Sequence, residues 1–443
     1  MPKITQDVLK LVKEHNVRFI RLWFADVLGR LKGFAITRSE LEEALESGMG
    51  FDGSSIEGFA RIEESDMIAM PDPNTFCILP WRPQNGGAEA RMFCDILKPD
   101  RRPYEGDPRY VLKRAMKRAA DMGYTYMVGP ELEYFYFQDD KELKPLDSGG
   151  YFDMAPLDLG TDLRRETIQI LEDMGIAVEY DHHEVAPSQH EIDLRYTDAL
   201  TMADIAMTYR LVVKDVARKR GVYATFMPKP IEGQNGSGMH THQSLCTQDG
   251  RNAFFDKNDT YHLSSVAKSF TAGILRHAKE FCVITSQWIN SYKRLVPGYE
   301  APVYISWAQR NRSTMVRVPM YKPGKEKATR IEFRAPDPAC NPYLAFAVML
   351  AAGLEGVEKK YPLSPPVEED IFEFSEHERA KAGIETLPGS LYAAIVEAEK
   401  SDFLRKVLGD HIYPKIIENK KIEWDRYRVH VSQYELDKYL GIM

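Results

Sequence analysis

The sequence predicts an α+β protein built from two domains. The chain has 443 residues, more than a single compact core usually holds. Its first hundred residues mix short strands with a helix or two, whereas the rest alternates helices with strands. A segment rich in proline and charged residues, LKPDRRPYEGDPR, lies between the two parts and is typical of a linker. We therefore expect an N-terminal domain in residues 1–100 and a larger domain in residues 101–443.

The N-terminal part opens with a predicted amphipathic helix, MPKITQDVLKLVKEHN. The segment VRFIRLWFADVLGRLKGFAIT follows and predicts a β-hairpin whose turn contains Leu28 and Gly29. Further along, MGFDGSSIEGF is rich in glycine and serine and predicts a loop.

Residues suited to helix ends mark the elements of the second part. Asp107 is suited to cap a helix, Pro108 to begin it and Gly123 to follow its end. The predicted helices are 108–122, 161–174 before Gly175, 202–220 before Gly221, and one that begins at Asn341-Pro342. The predicted strands are 125–137, 176–180 and 190–195, and residues 361–390 are predicted as a loop with short helical turns.

Composition excludes several classes of protein. The net charge of −8 disfavours nucleic-acid binding, which depends on Lys and Arg against phosphate. The five cysteines are scattered without a CxxC pair, which favours reduced thiols in a cytosol over disulfides or a zinc site. The N-terminus has no apolar signal-peptide core, and the longest apolar run, 343–354, falls short of the roughly 20 residues that span a bilayer. We expect a soluble cytoplasmic protein.

Four segments place polar side chains at alternate positions, which is the period of a strand. These positions are Glu131 and Glu133 in GPELEYF; Glu191, Asp193 and Arg195 in HHEVAPSQHEIDLR; His240, His242 and Ser244 in GSGMHTHQSL; and Arg330, Glu332 and Arg334 in TRIEFRAPDP. A strand with one face in water explains any one of them. Together they fit that explanation poorly, because their polar faces carry Glu, His and Arg in place of the usual Lys, Thr and Gln.

If these strands line one cavity, five carboxylates meet there: Glu131, Glu133, Glu184, Glu191 and Glu332. Packed carboxylates take up protons or need counter-charge, which divalent cations supply. An oxygen-rich ligand set with one imidazole, from His240, favours Mg²⁺ or Mn²⁺ over zinc. We expect two or three ions.

Arginines accompany the predicted metal ligands. They are Arg294, Arg310, Arg312, Arg317, Arg330 and Arg334. A lone arginine usually forms a surface ion pair, but arginines interleaved with metal ligands are the equipment of phosphoryl transfer. The glycine-rich segment EGQNGSGMH would let backbone approach a ligand, whereas neither the P-loop nor the GxGxxG fingerprint is present. The residues indicate a metal-dependent enzyme that handles phosphate and a second anionic substrate, whose identity spacing leaves open.

Seven sequence blocks, spread over essentially the whole chain, resemble the signatures of type I glutamine synthetase. They are FDGSSIEGF, GPELEYF, HHEVAPSQHEID, KPIEGQNGSGMHTHQSL, NSYKRLVPGYEAP, NRS and RIEFRAPDPACNPYL. The resemblance implies a small N-terminal β-grasp domain, a larger catalytic α/β domain and a strand-lined active-site barrel shared between subunits of two stacked hexameric rings. It also implies ATP-dependent ligation of ammonia to glutamate through γ-glutamyl phosphate.

The resemblance further implies roles for individual residues. One metal would be held by Glu131, His240 and Glu332, and another by Glu133, Glu184 and Glu191. Nucleotide contacts would come from Glu179, Phe226, His242, Ser244, Arg312, Arg317, Lys327 and Arg330. Glutamate would be held by Asn235, Gly236, Arg294 and Arg334, with Glu300 on a flap over it. Asp52 of a neighbouring subunit would take the proton from ammonium, and Arg312 would stabilise the transferring phosphoryl group.

The chain departs from the family pattern at informative places. Ser188 stands where the family has glycine, which a serine can replace unless the position needs a positive φ. No tyrosine occurs in residues 362–391, where the adenylylated subtype carries its regulatory tyrosine, so we expect the alpha subtype without adenylylation. In that subtype Arg61 would mediate feedback inhibition by glutamine; a surface ion pair with Glu63 or Glu64 is the alternative. The apolar C-terminal segment would dock in the opposite ring or fray.

Three other functions stay open at this point. The chain could be a ligase for another amine, a catalytically weak paralogue that senses nitrogen, or a metal-dependent phosphatase. The intact ligand set disfavours the paralogue. The sequence also leaves open Mg²⁺ against Mn²⁺, hexamer against dodecamer or filament, and control by 2-oxoglutarate, PII-type proteins or a repressor.

Overall fold

The computed structural model describes residues 3–58, 66–81, 86–299 and 301–443. Two sheets organise them, a six-stranded sheet near the N-terminus and a nine-stranded sheet beyond it. Both predicted parts of the α+β architecture are therefore present.

The first sheet holds strands β1–β6 and two helices. The strands are β1 (Val17–Ala25), β2 (Leu31–Thr37), β3 (Met49–Asp52), β4 (Asp66–Pro71), β5 (Cys77–Ile78) and β6 (Ala88–Leu97), and the helices are α1 (Lys3–Glu14) and α2 (Leu41–Ser47). The strand order is β2-β1-β6-β4-β3, with β5 paired to β6. Strands β1 and β6 run parallel, and the other pairs run antiparallel. Because β1 and β6 are parallel neighbours, a long connection must join them along the chain.

The predicted hairpin is confirmed, and its turn fastens the first sheet to the rest of the protein. Gly29 adopts a φ of +76°, and a Cβ on it would lie 2.9 Å from the Cβ of Asn341. The Asn341 side chain donates to the carbonyl oxygens of Asp26 and Val27, both at 3.2 Å. The same side chain accepts from the backbone of Tyr343 and thereby caps the helix that follows. One buried asparagine thus joins the hairpin to that helix.

The second sheet holds strands β7–β15. They are β7 (Tyr124–Phe137), β8 (Val178–His183), β9 (Gln189–Leu194), β10 (Thr197–Asp198), β11 (Tyr223–Thr225), β12 (Met239–Thr247), β13 (Tyr304–Ala308), β14 (Thr314–Arg317) and β15 (Ile331–Phe333). Their order is β13-β14-β15-β12-β7-β9-β8, with β10 and β11 also paired to β7. Among the described residues no ladder joins β8 to β13, so the sheet that one chain supplies is open.

Ten helices of the described residues follow the first sheet. They are α3 (Pro108–Asp121), α4 (Thr161–Asp173), α5 (Ala199–Lys219), α6 (Ser265–Thr285), α7 (Ser291–Arg294), α8 (Pro342–Lys359), α9 (Glu376–Lys381), α10 (Leu391–Glu399), α11 (Asp402–Arg428) and α12 (Gln433–Tyr439). The helices predicted at 108–122, 161–174 and 202–220 are confirmed to within three residues at each end. Asp107 accepts from the Arg109 backbone as the predicted cap.

A buried arginine, Arg109 on α3, links the first sheet to helix α5 by charge. Its guanidinium contacts Asp72 at 2.8 Å and Asp95 at 2.5 Å, both on or next to strands of the first sheet. It also contacts Asp204 on α5 at 3.1 Å. Arg109 is only 3% exposed, so these three carboxylates compensate a charge that water does not reach. No helix of the described residues is long and apolar enough to cross a membrane.

Candidate active site and metal centres

A polar cavity of about 910 Å³ opens on the concave face of the nine-stranded sheet. Its wall includes Tyr180 and His182 from β8 at one end of the strand order, and Arg317 from β14 near the other end. Because residues from both ends of the strand order line the same cavity, the sheet must curve around it.

Strand register brings the predicted ligands together on the wall of this cavity. Strand β7 lies between β12 and β9, so that Glu131 is opposite His240 and Glu133 is opposite Glu191. On the far side of β12, Glu332 of β15 is opposite His242. Directly opposite residues in a sheet have their side chains on the same face. The alternation seen in the sequence therefore does place Glu131, Glu133, Glu191 and His240 on one face.

A first ligand cluster is formed by Glu131, His240 and Glu332. Their candidate ligand atoms all lie within 4.8 Å of one another. The Nδ1 atom of His240 is 3.4 Å from Glu131 Oε2 and 3.8 Å from Glu332 Oε1. His242 lies behind this cluster, with its Nε2 atom 2.6 Å from Glu131 Oε1 and its Nδ1 atom accepting from Arg330 at 3.0 Å. His242 thus fixes the orientation of Glu131, a candidate ligand.

A second cluster contains His182, Glu184 and Glu191, and Glu133 lies between the two clusters. His182 Nε2 is 3.3 Å from Glu191 Oε1, and its Nδ1 is 3.7 Å from Glu184 Oε1. Glu133 Oε2 accepts from the Gly238 backbone at 3.0 Å and from the Gln189 side chain at 2.8 Å. Its other oxygen, Oε1, is 3.7 Å from His240 Nε2. Glu133 therefore has one fixed oxygen and one that faces the ligand set.

Crowding perturbs these carboxylates in the way that a cation site requires. Burial raises the pKa of Glu133 to about 7, and the charge of Glu131 adds to that effect. Burial likewise raises the pKa of Glu184 to about 7, with Glu133 contributing, and raises the pKa of Glu191 well above its usual range. Glu131 differs: burial opposes its ionisation, but the imidazoles of His242 and His240 hold its pKa well below the usual value.

The ligand chemistry fits hard divalent cations. Carboxylate oxygens dominate both clusters, each with one imidazole, and oxygen-rich sets of this kind suit Mg²⁺ or Mn²⁺. Positive charge between the clusters would offset both the burial and the smaller mutual repulsion that raise the pKa values of Glu133, Glu184 and Glu191. The residues present thus fit a multi-ion site.

The cationic half of the cavity is formed by six arginines. They are Arg294, Arg310, Arg312, Arg317, Arg330 and Arg334. Arg294 is held by backbone oxygens, donating to Ala335 at 2.7 Å and to Arg334 at 3.0 Å. A Cβ on Gly238 would lie 2.7 Å from the Arg294 guanidinium, so the glycine-rich loop can pass this arginine only because it has no side chain there. Arg317 forms an ion pair with Glu332 and so joins the arginines to the first cluster.

The cavity brings together most of the residues predicted for the site. Its lining includes Glu131, Glu133, Glu184, Glu191, His240, Glu332, Asn235, Gly236, Arg294, Arg312, Arg317, Arg330 and Arg334. Asp52 lies at the end of β3 in the other sheet and does not line the cavity of its own chain. Glu300 and Arg61 lie outside the described residues.

Five residues predicted to contact nucleotide do not line this cavity: His242, which lies behind Glu131, and Glu179, Phe226, Ser244 and Lys327. Glu179 is the second residue of β8, and its carboxylate lies 4.0 Å from the Arg195 guanidinium. Phe226 is 4% exposed and packs its ring 5.3 Å from that of Tyr134, so any contact with a ligand would come from its backbone. Ser244 lies on β12 and is buried. Lys327 belongs to a short 3₁₀ helix, and its carbonyl oxygen accepts from the Asn252 side chain.

The cavity lining also contains residues that the sequence prediction missed, among them Tyr151, Tyr180, His182 and Gln189. For His182 a signal existed, because it alternates with Tyr180 on β8 and immediately precedes the HE pair of the HHEVAP block. Gln189 was overlooked because its role, holding Glu133, depends on the β7–β9 register. Tyr151 comes from a loop remote in sequence, and its ring lies 5.6 Å from that of His182.

Ser188 replaces a family glycine at a position that does have a positive φ, +59°. The strain of this left-handed conformation is offset locally. The Ser188 hydroxyl accepts from the Asp147 backbone at 2.7 Å, and the Ser188 backbone donates to Asp147 Oδ1 at 2.9 Å. The same Asp147 oxygen lies 2.9 Å from His183 Nε2. Asp147 therefore braces the turn that separates Glu184 from Glu191.

Comparison with known proteins extends over the whole chain. A model of the glutamine synthetase β-grasp domain matches residues 16–99, and a model of the glutamine synthetase catalytic domain matches residues 105–439. Proteins named glutamine synthetase from Mycolicibacterium smegmatis and Methanosarcina mazei are each 52% identical to the chain, over 100% and 99% of its length and 100% and 98% of theirs. One from Staphylococcus aureus is 49% identical over 99% of both chains.

Solved structures show the same likeness in three dimensions. A GmaS/ADP complex superposes with a TM-score of 0.89 at 31% identity, covering 98% of this chain and 99% of its own. GmaS without ligand gives a TM-score of 0.88 at the same identity and coverage. The similarity therefore includes both sheets.

Proposed function

This chain is a member of the glutamine synthetase family, and we propose that the glutamate-lined cavity is where it makes glutamine. The chain catalyses the ATP-dependent formation of glutamine from glutamate and ammonia. The observation that carries the assignment of the site is the meeting of two ligand clusters and six arginines around one cavity. Phosphoryl transfer to an anionic acceptor needs both kinds of group.

Divalent cations belong to this family's chemistry, and two ligand groups are suited to hold them. Glu131, His240 and Glu332 would hold one ion; Glu133, Glu184 and Glu191 would hold another, with His182 beside them. Bound there, Mg²⁺ or Mn²⁺ would neutralise charge on the phosphate oxygens. Two to three ions per site is the number that this many carboxylates supports.

Each substrate has a set of proposed contacts. Glutamate would be held by Asn235, Gly236, Arg294 and Arg334, and nucleotide by Glu179, Phe226, His242, Ser244, Arg312, Arg317, Lys327 and Arg330. The buried Arg294, fixed by three backbone oxygens, is pre-organised to bind a carboxylate. His242 and Arg330 already form a hydrogen-bonded pair beside Glu131.

The proposed reaction has two steps, phosphoryl transfer and then attack by ammonia. First, a γ-carboxylate oxygen of glutamate attacks the γ-phosphorus of ATP, releasing ADP and forming γ-glutamyl phosphate, while Arg312 and Arg317 stabilise charge on the transferring group. Then ammonium loses a proton to Asp52, the resulting ammonia attacks the acyl carbon, and the tetrahedral adduct expels phosphate, which takes the second proton as the amide forms. Glu300 would exclude water from the acyl phosphate.

We propose that Asp52 reaches this chemistry from a neighbouring copy of the chain. Asp52 belongs to the first sheet and does not line the cavity of its own chain. The nine-stranded sheet also presents an open end. Both features support a barrel shared between subunits, and we propose two stacked hexameric rings as the assembly, with the apolar tail segment 432–443 docked in the opposite ring.

Finer assignments complete the proposal. We assign residues 1–100 to the β-grasp domain and 101–443 to the catalytic domain, and the protein to the alpha subtype, without adenylylation. Arg61 would mediate feedback inhibition by glutamine, and PII-type or transcriptional regulators are candidate partners. A cytoplasmic location is supported by the five cysteines, all of which are free thiols.

The first test of the proposed site is phosphate release from ATP that requires both glutamate and ammonia, compared with putrescine in place of ammonia. Asp52→Asn should bind ATP normally but lose most synthesis. Near-normal turnover in that variant would remove Asp52 from the mechanism. Equal turnover with putrescine would indicate a ligase for other amines.

A second test addresses the shared site. Coexpressing Asp52→Asn chains with Arg312→Ala chains creates junctions where the cavity has an intact Arg312 and receives an intact Asp52 from the neighbour. Activity above that of either variant alone would support the shared site. If the mixture were as inactive as its parents, Asp52 and Arg312 would have to act within one chain.

A further inference from the structure

The loop that carries Asp52 is fastened to the rest of the protein through one buried carboxylate, Glu57. Asp52 ends β3, a short 3₁₀ helix (Gly53–Ile56) follows, and Glu57 comes next. Asp52 itself is exposed, and its carboxylate accepts from the Ser54 backbone and hydroxyl, both at 2.9 Å. Glu57, by contrast, is 7% exposed. The loop therefore has a projecting acid at one end and a buried acid at the other.

Three side chains surround the Glu57 carboxylate. The Tyr104 hydroxyl donates to Glu57 Oε1 at 2.8 Å, and His411 Nε2 lies 3.1 Å from the same oxygen. Lys415 Nζ forms an ion pair with Oε2 at 3.0 Å. Burial works against ionisation of Glu57, but Lys415 and Tyr104 outweigh it and lower its pKa. The carboxylate is thus charged and held at both oxygens.

Two of these side chains, His411 and Lys415, share one face of a long helix with a third residue that binds the loop. His411, Lys415 and Asn419 are spaced four residues apart on α11, which places them on the same side. Asn419 donates to the Glu57 carbonyl oxygen at 3.1 Å, so the helix binds the backbone of the loop as well as its side chain. The Val27 backbone donates to the Ile56 carbonyl at 2.9 Å and holds the loop from the hairpin side.

We propose that Glu57 is a positioning residue for ammonia activation. Its contacts with helix α11 fix the loop so that Asp52 reaches the cavity of the neighbouring copy. The inference rests on the proposed role of Asp52. A proton acceptor works only within hydrogen-bond reach of its substrate, and a displacement of about 1 Å can cost about 100-fold in rate. Only four residues separate Asp52 from Glu57, so fixing Glu57 leaves the intervening turn little freedom.

The discriminating measurement compares two nucleophiles. Ammonia is almost wholly ammonium near neutral pH and must give up a proton before it attacks, whereas hydroxylamine is largely neutral and need not. A misplaced Asp52 should therefore impair glutamine formation much more than hydroxamate formation. A general loss of structure would impair both reactions equally.

Four variants and the unmodified protein are compared at matched oligomeric state, checked by size-exclusion chromatography. Glu57→Gln and Lys415→Met remove the charge pair, and Lys415→Arg keeps it. Lys421→Met is the matched control, because Lys421 lies on the same helix and forms an exposed ion pair with Glu399 at 2.5 Å. We expect Glu57→Gln and Lys415→Met to lower ammonium turnover by about tenfold or more, with hydroxylamine turnover changed by no more than about twofold. Lys415→Arg and Lys421→Met should keep the unmodified ratio.

Two outcomes would overturn the proposal: an equal fall with both nucleophiles, which means that Glu57 only supports the fold, or no fall with either. Asp52→Asn, measured alongside, separates this proposal from the one it rests on. If Asp52→Asn leaves the ratio unchanged, the role of Asp52 fails and the inference with it. If Asp52→Asn lowers the ratio and Glu57→Gln does not, only the positioning role of Glu57 fails.

Discussion

Replacing Ser188 by alanine and by glycine separates two effects that the structure superimposes at this residue. The side chain is fully buried, its hydroxyl accepts from the Asp147 backbone at 2.7 Å, and φ is +59°. Alanine leaves that partly buried N–H without its partner, which should cost about 1–3 kcal/mol, and keeps the left-handed strain. Glycine loses the same bond but removes strain of about 1–2 kcal/mol, less about 0.5–1 kcal/mol for its greater freedom when unfolded.

We therefore expect both Ser188 variants to be less stable than the parent, with glycine more stable than alanine by about 0.5–1 kcal/mol. Urea unfolding of metal-free protein at one fixed concentration measures this, since both metal and assembly would add stability. Ser39→Ala is the control, because that exposed hydroxyl contacts only neighbouring surface side chains. An alanine variant as stable as the parent, or a glycine variant below alanine, would refute this account of Ser188.

Three further predictions concern other parts of the molecule. Arg109→Leu leaves three buried or half-buried carboxylates without their shared cation, so the free energy of unfolding should fall by about 3–5 kcal/mol in denaturant titrations, and a change below about 1 kcal/mol would contradict it. Burial opposes ionisation of Glu355, but hydrogen bonds from Lys359 and Tyr361 lower its pKa to about 2, beneath the ordinary value of 4.5. The stability that this pairing adds is present above pH 4.5 and is lost as pH falls towards 2, so Glu355→Gln should flatten the stability profile in that range, and an unchanged profile would argue against the assignment. Chelators should abolish turnover, and His240→Ala should weaken Mn²⁺ binding, followed by calorimetry, by about tenfold or more; equal affinity would exclude His240 as a ligand.

Local signals in the sequence predicted much of this fold. The cap at Asp107, the turn at Gly29 and the helix that begins after Asn341 depend on neighbouring residues, so they could be read from short segments. The shared faces of the candidate ligands on β7, β9 and β12 could be predicted for a similar reason, because alternation alone places side chains on one face of a strand. Alternation did not show that these strands line one cavity. The register of the nine-stranded sheet explains why they do.

Other features of the site depend on contacts distant in sequence and could not be predicted. His182 belongs to a ligand group only because β8 pairs with β9, and Tyr151 reaches the cavity from a loop that packs on His182. The backbone conformation of Ser188 follows from its bonds to Asp147, 41 residues away. The anchoring of the Asp52 loop on helix α11 spans more than 350 residues of chain, far beyond any local pattern.

The central position of strand β7 makes the chemistry intolerant of insertions and deletions there. This strand pairs with four others, and its two-residue period decides which of its side chains face the cavity. Removing a single residue near Val128 would move every later side chain of β7 to the opposite face of the sheet. Leu132 and Tyr134 would then face the cavity, and Glu131 and Glu133 would be buried among apolar side chains. Length variation among relatives should therefore concentrate in the connecting segments, and this strand should keep a constant residue count.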